Sequence, residues 1–359
     1  MVIIGPCCKF YNKVLTPSLL TRCLERTQLL KGDPVPLLGD WNSSSVTYIQ
    51  EDITSDNIYL AVQGNALIQI NATSNTTVVL AGSINEEGFK NEISTAARFE
   101  WIESFLQEKD GNTILVADSG NRCIRMLDKK TLNVSTYSGF CSAYLDHQKT
   151  VTNGKFTEAT YLYPYDMGQT HNIILLTDEN HLRALNTTQR TVSTEYSSID
   201  RSARGVNLNR IGINERNCKI YITCVDSMLV FSSELGKIKF LQEIQVNFVL
   251  SWVVDLEGVT ILSDSLLLVT SGLTSKIRGL FTLDLLSAKL RNVCISATKP
   301  PHIQMGTCQY MTDGRYISKT KEHLLLISGE RAKNDLPHIG VDIVQLNGKC
   351  SNAVKKYTN

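Results

Sequence analysis

Short apolar runs alternate with polar turn clusters along most of the chain, and this pattern predicts β-strands. The clearest example is the stretch 80–141. Its run at 114–117 is wholly apolar, as expected for a strand that is buried on both faces. The polar cluster at 118–121 predicts a turn, and a second strand follows at 123–127. We therefore expect an antiparallel unit of short strands here.

The order of features in this stretch returns in the next part of the chain. The second copy supplies strands at 174–178, 182–185 and 192–194. Phe99 in the first copy matches Phe156 in the second, and Gly82 matches Gly139. Such self-similarity indicates an array of one supersecondary unit, in which each copy buries its apolar faces against its neighbours.

The stretch 80–141 resembles an NHL repeat, the blade unit of NHL-type β-propellers. The matching segments are AGS at 81–83, ARF at 97–99, ILVADSGNRCIRML at 114–127 and VSTYSG at 134–139. The next repeat matches well and the other repeats match weakly. The resemblance implies an all-β propeller built from four-stranded antiparallel blades.

Counting the apolar second strands gives the size of the array. They begin near residues 58, 114, 174, 218, 265 and 323, which predicts a six-bladed β-propeller over residues 33–350. A strand at 35–39 is expected to complete the last blade and close the ring, which removes two open sheet edges. Residues 1–32 form an N-terminal leader with a helical pattern at 17–30, and residues 351–359 form a C-terminal tail.

Three polar residues stand out in the central repeat, and they recur in other repeats. Asp118, Asn121 and Arg125 are matched by Asp178, Asn180 and Arg183, and Arg278 keeps the register of the arginine. They could form a polar rim that binds a ligand. Alternatively, the Asp and Asn side chains cap tight turns and the arginine reaches the next blade. Their recurrence favours the structural interpretation.

The ten cysteines suggest disulfides. Cys123 begins one strand and Cys141 follows its antiparallel neighbour, within bridging reach. Cys294 and Cys308 flank a crossing between two blades and form a second candidate pair. The alternative is that all are buried thiols. Disulfides favour an oxidising compartment, so we expect an extracellular or secretory-lumen protein, with a cytoplasmic location as the alternative.

Five sequons are candidate glycosylation sites on such a protein. They lie at Asn42, Asn71, Asn75, Asn133 and Asn186. Chance alone would give a similar number, so only their placement in predicted turns and blade edges supports them. Residues 1–15 contain too short an apolar run for a signal peptide, and a secreted chain would therefore begin upstream of Met1.

Charge and hydropathy narrow the possible partners. The formal net charge of +1 gives no general attraction to nucleic acid or to an anionic membrane. Lys129 and Lys130 form an isolated basic turn rather than a basic face. No apolar run has the length of a membrane span. We therefore expect neither a nucleic-acid partner nor a membrane span in this chain.

Catalytic chemistry has little support in the sequence. One enzyme class with this type of propeller, the peptidylglycine amidating lyases, builds a metal site from several blades, but its motifs are not visible here. His147 and His171 lie in predicted loops, and no Cys/His spacing suits zinc. We assign no catalytic, cofactor or metal residue, although calcium or zinc in a central channel stays open.

The function we expect is a non-enzymatic interaction module within a larger extracellular protein. Such a module would present loops on one face of the propeller to a protein or glycan partner. One alternative is a propeller hydrolase or lyase with a metal in its central channel. A second alternative is an intracellular NHL scaffold or RNA-binding protein.

Overall fold

The computed structural model of the chain describes residues 46–141, 150–198, 207–246, 256–271 and 277–297, apart from 57, 72, 75, 226 and 235, together with 317–319, 323–333 and 336–345. Several predicted features lie outside these residues: the leader 1–32 with its helix at 17–30, the closing strand 35–39, and the tail 351–359. The chain divides into two compact units, with the boundary between Ile211 and Gly212.

The first unit contains three blades. The first blade has β1 (Val46–Glu51), β2 (Ile58–Gln63), β3 (Asn65–Asn71) and β4 (Thr76–Ser83). The second has β5 (Ile102–Gln107), β6 (Thr113–Asp118), β7 (Cys123–Asp128) and β8 (Val134–Ser138). The third has β10 (Pro164–Thr170), β11 (Ile173–Asp178), β12 (His181–Asn186) and β13 (Thr191–Ser197), with β9 (Gly154–Lys155) added outside β13. A single 3-10 turn, Ser94–Ala96, precedes β5.

The second unit contains the later sheets. The fourth blade has β14 (Ile211–Asn214), β15 (Lys219–Thr223), β16 (Ser227–Glu234) and β17 (Lys237–Gln245). The fifth has β18 (Leu256–Ser263), β19 (Leu266–Ser271), β20 (Ile277–Asp284) and β21 (Lys289–Ala297). A last sheet has β22 (Ile317–Lys319), β23 (His323–Lys333) and β24 (Leu336–Gln345). No helix among the described residues is long and apolar enough to cross a membrane.

The architecture is all-β with antiparallel blades in chain order, as predicted, but the blade count is wrong. Within the described ranges the structure has five four-stranded blades, not six. The sheet expected to be the sixth blade has three strands, and its first strand, β22, is short. The strand predicted at 35–39 would have completed it, and this segment lies outside the described residues.

The second strand of each blade forms the core because it is apolar without alternation. Every residue of β11 is buried, and so is every residue of β6 except its first. In the first unit these two strands pack with Phe156, Ala159 and Tyr161 in one apolar cluster. Burying a Leu or Ile side chain contributes about 1.5–3 kcal/mol, so these strands hold neighbouring blades together.

Side-chain hydroxyls at the end of the second strand add a polar link between blades. Ser119 donates to the carbonyl of Pro164 at the start of β10. Thr177 Oγ1 donates to the carbonyl of Asn209 over 2.8 Å, and Thr223 makes the same kind of bond within the second unit. These bonds fix the entry of the chain into the next first strand.

The repeat alignment needs one correction. A Cβ atom built on Gly82 would lie 2.8 Å from the ring of Phe99, and one built on Gly139 would lie 2.8 Å from the ring of Tyr161. Phe99 therefore matches Tyr161, and its predicted match with Phe156 is wrong. Phe156 instead matches Ser94, because the Phe156 amide donates to the Arg190 carbonyl as the Ser94 amide donates to the Leu132 carbonyl.

The disulfide between Cys123 and Cys141 is present, as predicted, with 5.0 Å between the two Cα atoms. Ile124 pairs with Ser138 across β7 and β8, so Cys123 lies beside the chain that leaves β8. Cys294 lies in β21 and Cys308 lies outside the described residues. The second candidate pair stays a prediction.

Removal of this disulfide should destabilise the fold. For the double variant Cys123→Ala/Cys141→Ala we expect the free energy of unfolding to fall by about 2–4 kcal/mol, because the unfolded chain regains the entropy of an open loop. Urea unfolding of the variant, the oxidised wild type and the exposed-site control Lys130→Ala measures the effect. An unchanged unfolding midpoint in the double variant would contradict it.

A buried carboxylate links the first two blades at the end where the first strand turns into the second. Asp52 follows β1, and its carboxylate accepts from Lys129 Nζ over 2.6 Å and from Gln107 Nε2 over 2.9 Å. Burial alone would raise the pKa of Asp52, but the bonds from Lys129, Gln107 and Thr54 outweigh it and lower the pKa below the ordinary value of 3.8. The ionised form of Asp52 is therefore the one that stabilises the folded chain.

This link predicts a pH-dependent contribution to stability. Since the folded-state pKa of Asp52 lies below its unfolded value of 3.8, the contribution is complete above pH 3.8 and is lost as the pH falls through the folded pKa. Lys129→Met should cost about 1–2 kcal/mol at pH 7. The difference from wild type should shrink in urea unfolding below pH 3.8. The exposed neighbour in Lys130→Met serves as the control, and a gap that persists in acid argues against the link.

Candidate functional site

The recurring polar residues form a buried network in the second blade. Asp118 and Arg125 are fully buried and form an ion pair at 2.8 Å. Asp118 also accepts from the amide of Glu100 over 2.8 Å and from Asn121 Nδ2. Burial raises the pKa of the Asp118 carboxyl to about 6, against the opposing attraction of Arg125. Groups enclosed in this way have no access to a ligand.

Arg125 fixes the connection that leads into its own blade. Its guanidinium donates to the carbonyls of Lys90 and Arg98 over 2.9 and 3.1 Å, and it lies over the rings of Phe89 and Phe99. The expectation that this arginine reaches the next blade is therefore wrong. The physical reason is that the connection folds back over the third strand and buries the charge.

The third blade repeats the arrangement. Arg183 pairs with Asp178 at 3.3 Å, with both side chains fully buried, and donates to the carbonyls of Thr160 and Thr152. Asp178 accepts from the amides of Leu162 and Tyr163. Burial raises the pKa of Asp178 to about 6. This pair therefore sets the backbone position at the start of β10.

The other candidate residues are placed as follows. The side-chain oxygens of Asn71 and Asn186 cap their own turns, Asn133 is exposed, and Asn42 and Asn75 lie outside the described residues. Asn180 is partly buried and follows β11, and Arg278 lies in β20. His171 is exposed in the turn after β10, and His147 lies outside the described residues. In the part of the chain that the structure describes, no three His, Cys, Asp or Glu side chains come together as a metal site requires.

A cleft of about 720 Å³ opens in the first unit, at the end of the blades where the second strand turns into the third. Its wall contains Arg122, Leu162, Tyr163, Tyr165, Glu179 and residues 207–209. This volume lies within the usual range of about 300–1,000 Å³ for small-molecule sites. The cleft is the strongest candidate for a binding site among the described residues.

Two tyrosines form the aromatic side of the cleft. The rings of Tyr163 and Tyr165 are stacked, with centroids 6.2 Å apart and planes inclined by 27°. The Tyr163 hydroxyl donates to Glu103 over 2.5 Å, which ties this ring to β5. The Asp178 carboxylate holds the Tyr163 backbone. The aromatic surface is therefore fixed before any ligand arrives.

A buried arginine lies beneath this surface. Arg210 is 1% exposed, and its guanidinium lies over the rings of Tyr165 and Tyr48, at 4.3 and 5.3 Å from their centroids. It donates to the carbonyl of Glu103 and pairs with Asp166 at 3.6 Å. Arg210 thus connects the first strands of three blades and packs against the cleft residue Tyr165.

An exposed tryptophan lies at the corresponding end of the second blade. Trp101 is 62% exposed and has a φ of +55°. Its carbonyl accepts from the amide of Ser119, in the turn that carries the cleft residue Arg122. Trp101 holds the same place in the second blade that Tyr163 holds in the third. A bulky residue with positive φ is a backbone outlier, and such outliers are concentrated at functional sites.

Sequence reasoning singled out none of these cleft residues. The recurring residues that it did select build the blades, while the cleft is formed by residues that do not recur. Tyr165 stands where the second blade has Glu103, and Arg210 directly precedes β14. The aromatic residues at matching places, Trp101 and Tyr163, were the one available signal.

Disruption of one buried pair should show that the recurring residues are structural. Asp118→Ala leaves the charge of Arg125 buried and uncompensated, so we expect the free energy of unfolding to fall by roughly 3–5 kcal/mol. The exposed-site control Asp56→Ala should change it by less than about 0.5 kcal/mol. Urea unfolding followed by circular dichroism measures both. Equal values for the two variants would disagree with a structural role.

Comparison with known proteins shows the fold but no family. No family model matches the chain, and no curated protein matches its sequence. Among solved structures, the chain is similar to a streptogramin B lyase, with 14% identity and a TM-score of 0.52 over 89% of this chain and 88% of that one. It is also similar to the gluconolactonase XC5397 from Xanthomonas campestris, with 11% identity and a TM-score of 0.51 over 87% of this chain and 96% of that one.

A third similar structure is the extracellular domain of the hybrid two-component system BT4673 from B. thetaiotaomicron, with 13% identity and a TM-score of 0.51. The match covers 86% of this chain and 39% of that one, so this chain spans well under half the length of that protein. At such low identity these likenesses establish the β-propeller fold alone.

Proposed function

We propose that the chain is a non-enzymatic interaction module, an NHL-type propeller within a larger extracellular protein, that holds a protein or glycan partner at the cleft. The observation that carries the proposal is the cleft itself, with its tyrosine wall held by the buried Arg210. Binding sites that are largely formed in advance lose little entropy when a partner binds. The role requires no cofactor.

Two observations support the NHL-type assignment. A glycine faces an aromatic ring at the same place in two repeats, as Gly82 and Phe99 show. A buried Asp–Arg pair also recurs in both. These features match the segments on which the resemblance rests, and the proposed propeller extends over residues 33–350.

An extracellular location is supported by the disulfide between Cys123 and Cys141, because such bonds persist in oxidising compartments. The similarity to the extracellular domain of BT4673 is consistent with this location. Exposed Asn133, one of the five sequons, would be accessible to glycosylation there.

Binding assays with charge-reversal variants test the proposal. A tetramer of the biotinylated chain is screened on arrays of extracellular protein domains and of glycans. Glu179→Arg introduces a positive charge at the cleft wall and should weaken binding at least tenfold, since a mispaired charge at an interface costs several kcal/mol. Glu87→Arg makes the same charge change at an exposed residue that does not line the cleft and should leave binding intact.

The outcome is decided by the comparison of these two variants. Ligands that the wild type and Glu87→Arg retain, and that Glu179→Arg loses, support the proposal. Ligands that all three proteins retain, or the absence of any ligand on both arrays, would refute it.

A further inference from the structure

We infer that the cleft binds an uncharged saccharide, an inference that rests on the proposed interaction role and specifies its ligand. Three features of the cleft carry it: ring faces available for stacking, polar groups of both hydrogen-bonding kinds, and balanced charge. Each feature is read from the described residues of the first unit.

The ring faces come from Tyr163 and Tyr165. Both side chains are partly exposed in the cleft, and their ring planes are inclined by only 27°, so the two rings are similarly oriented. The C–H face of a pyranose ring is apolar, and it gains hydrophobic and dispersion energy when it covers exposed aromatic surface. Arg210 lies over one face of Tyr165, 4.3 Å from the ring centroid, and leaves the exposed part of that ring to a ligand.

Trp101 is a further exposed aromatic residue, bonded through its carbonyl to the turn that carries the cleft residue Arg122. Positive φ is common at hairpin turns, where Arg122 and Glu179 adopt it, but Trp101 does not lie in a hairpin. Tyr163, at the matching place of the third blade, is absent from the positive-φ residues of the described chain. Tyr163 precedes Pro164, which favours extended backbone, whereas the Trp101 amide donates to Asn65 Oδ1 of the first blade over 2.8 Å. Backbone outliers of this kind are concentrated at functional sites.

The polar wall suits hydroxyl groups. Asn207 and Asn209 each carry an amide that can donate and accept, Arg122 donates and Glu179 accepts. A sugar hydroxyl is both a donor and an acceptor, so it matches a mixed wall of this kind. A site with several polar groups rejects a ligand that leaves them unpaired.

The charges favour an uncharged ligand. The wall contains one cation, Arg122, and one anion, Glu179, and the charge of Arg210 behind Tyr165 is compensated by Asp166. A sulfated or sialylated ligand would therefore gain no net attraction. A peptide that anchors through an apolar side chain gains most in a well-packed, desolvated pocket, whereas polar groups line this cleft beside its tyrosines. We therefore favour the saccharide over the peptide.

The test uses defined probes. Chitotriose, cellotriose, maltotriose and mannotriose are titrated into the full chain, with a sulfated heparin disaccharide as the charged comparator, and binding is followed by saturation-transfer NMR. We expect at least one neutral trisaccharide to bind and the heparin fragment not to bind. Tyr163→Ala should weaken that binding roughly two- to tenfold, and Tyr163→Phe, which keeps the ring, should weaken it less.

Trp101→Gly separates a ligand contact from a structural role. Glycine accepts positive φ without strain, so this variant should keep or raise the unfolding temperature while it weakens saccharide binding. Phe140→Ala is the matched control, because Phe140 is also 62% exposed in the first unit, and it should bind as the wild type does. A lowered unfolding temperature together with unchanged affinity would overturn the role of Trp101.

Two results would overturn the saccharide inference itself. One is that no neutral probe binds at millimolar concentration, and the other is that every cleft variant binds as the wild type does. If a partner from the arrays still depends on Glu179 and is unaffected by enzymatic removal of its glycans, the saccharide inference fails and the proposed interaction role stands. If no array ligand depends on Glu179, the proposed role fails as well.

Discussion

A buried ion pair between the second and third strands of a blade is the interaction on which the candidate site depends. Removing two charges from water costs several kcal/mol per ion, and the structure offsets this cost with further hydrogen bonds to backbone groups. In the third blade, Asp178 accepts from the amide of Tyr163 while Arg183 donates to two carbonyls of the incoming connection. The pair therefore positions both the connection and the tyrosine that forms the cleft wall.

The regular part of the blades could be predicted because burial on both faces leaves unbroken apolar runs. β6 and β11 show this directly, and each run ends at an aspartate that the sequence also marks. The disulfide could be predicted from the pairing of β7 with β8, since Cys123 and Cys141 lie at one end of these neighbouring strands. The blade count could not be obtained in this way. An apolar run such as β23 identifies a strand, but not the number of strands that pair beside it.

The cleft could not be predicted because its residues meet only through the arrangement of whole blades. Arg210 lies far along the chain from Tyr48 and Glu103, yet it contacts both. Periodicity describes what the repeats share, and the residues of a site are those in which the repeats differ. Glu103 and Tyr165 occupy matching places in two blades. Of the two side chains, the Tyr165 ring lines the cleft.

The interactions within the blades supply the stability that allows a strained residue beside the cleft end. The Asp–Arg pairs and the apolar second strands determine the backbone so strongly that a bulky residue with positive φ can be tolerated, at a cost of roughly 1–2 kcal/mol. Trp101 is one such residue, and its backbone is held by the Ser119 amide and by Asn65 Oδ1. The stability that the repeated interactions supply thus permits a strained backbone at Trp101, a position where the blades differ.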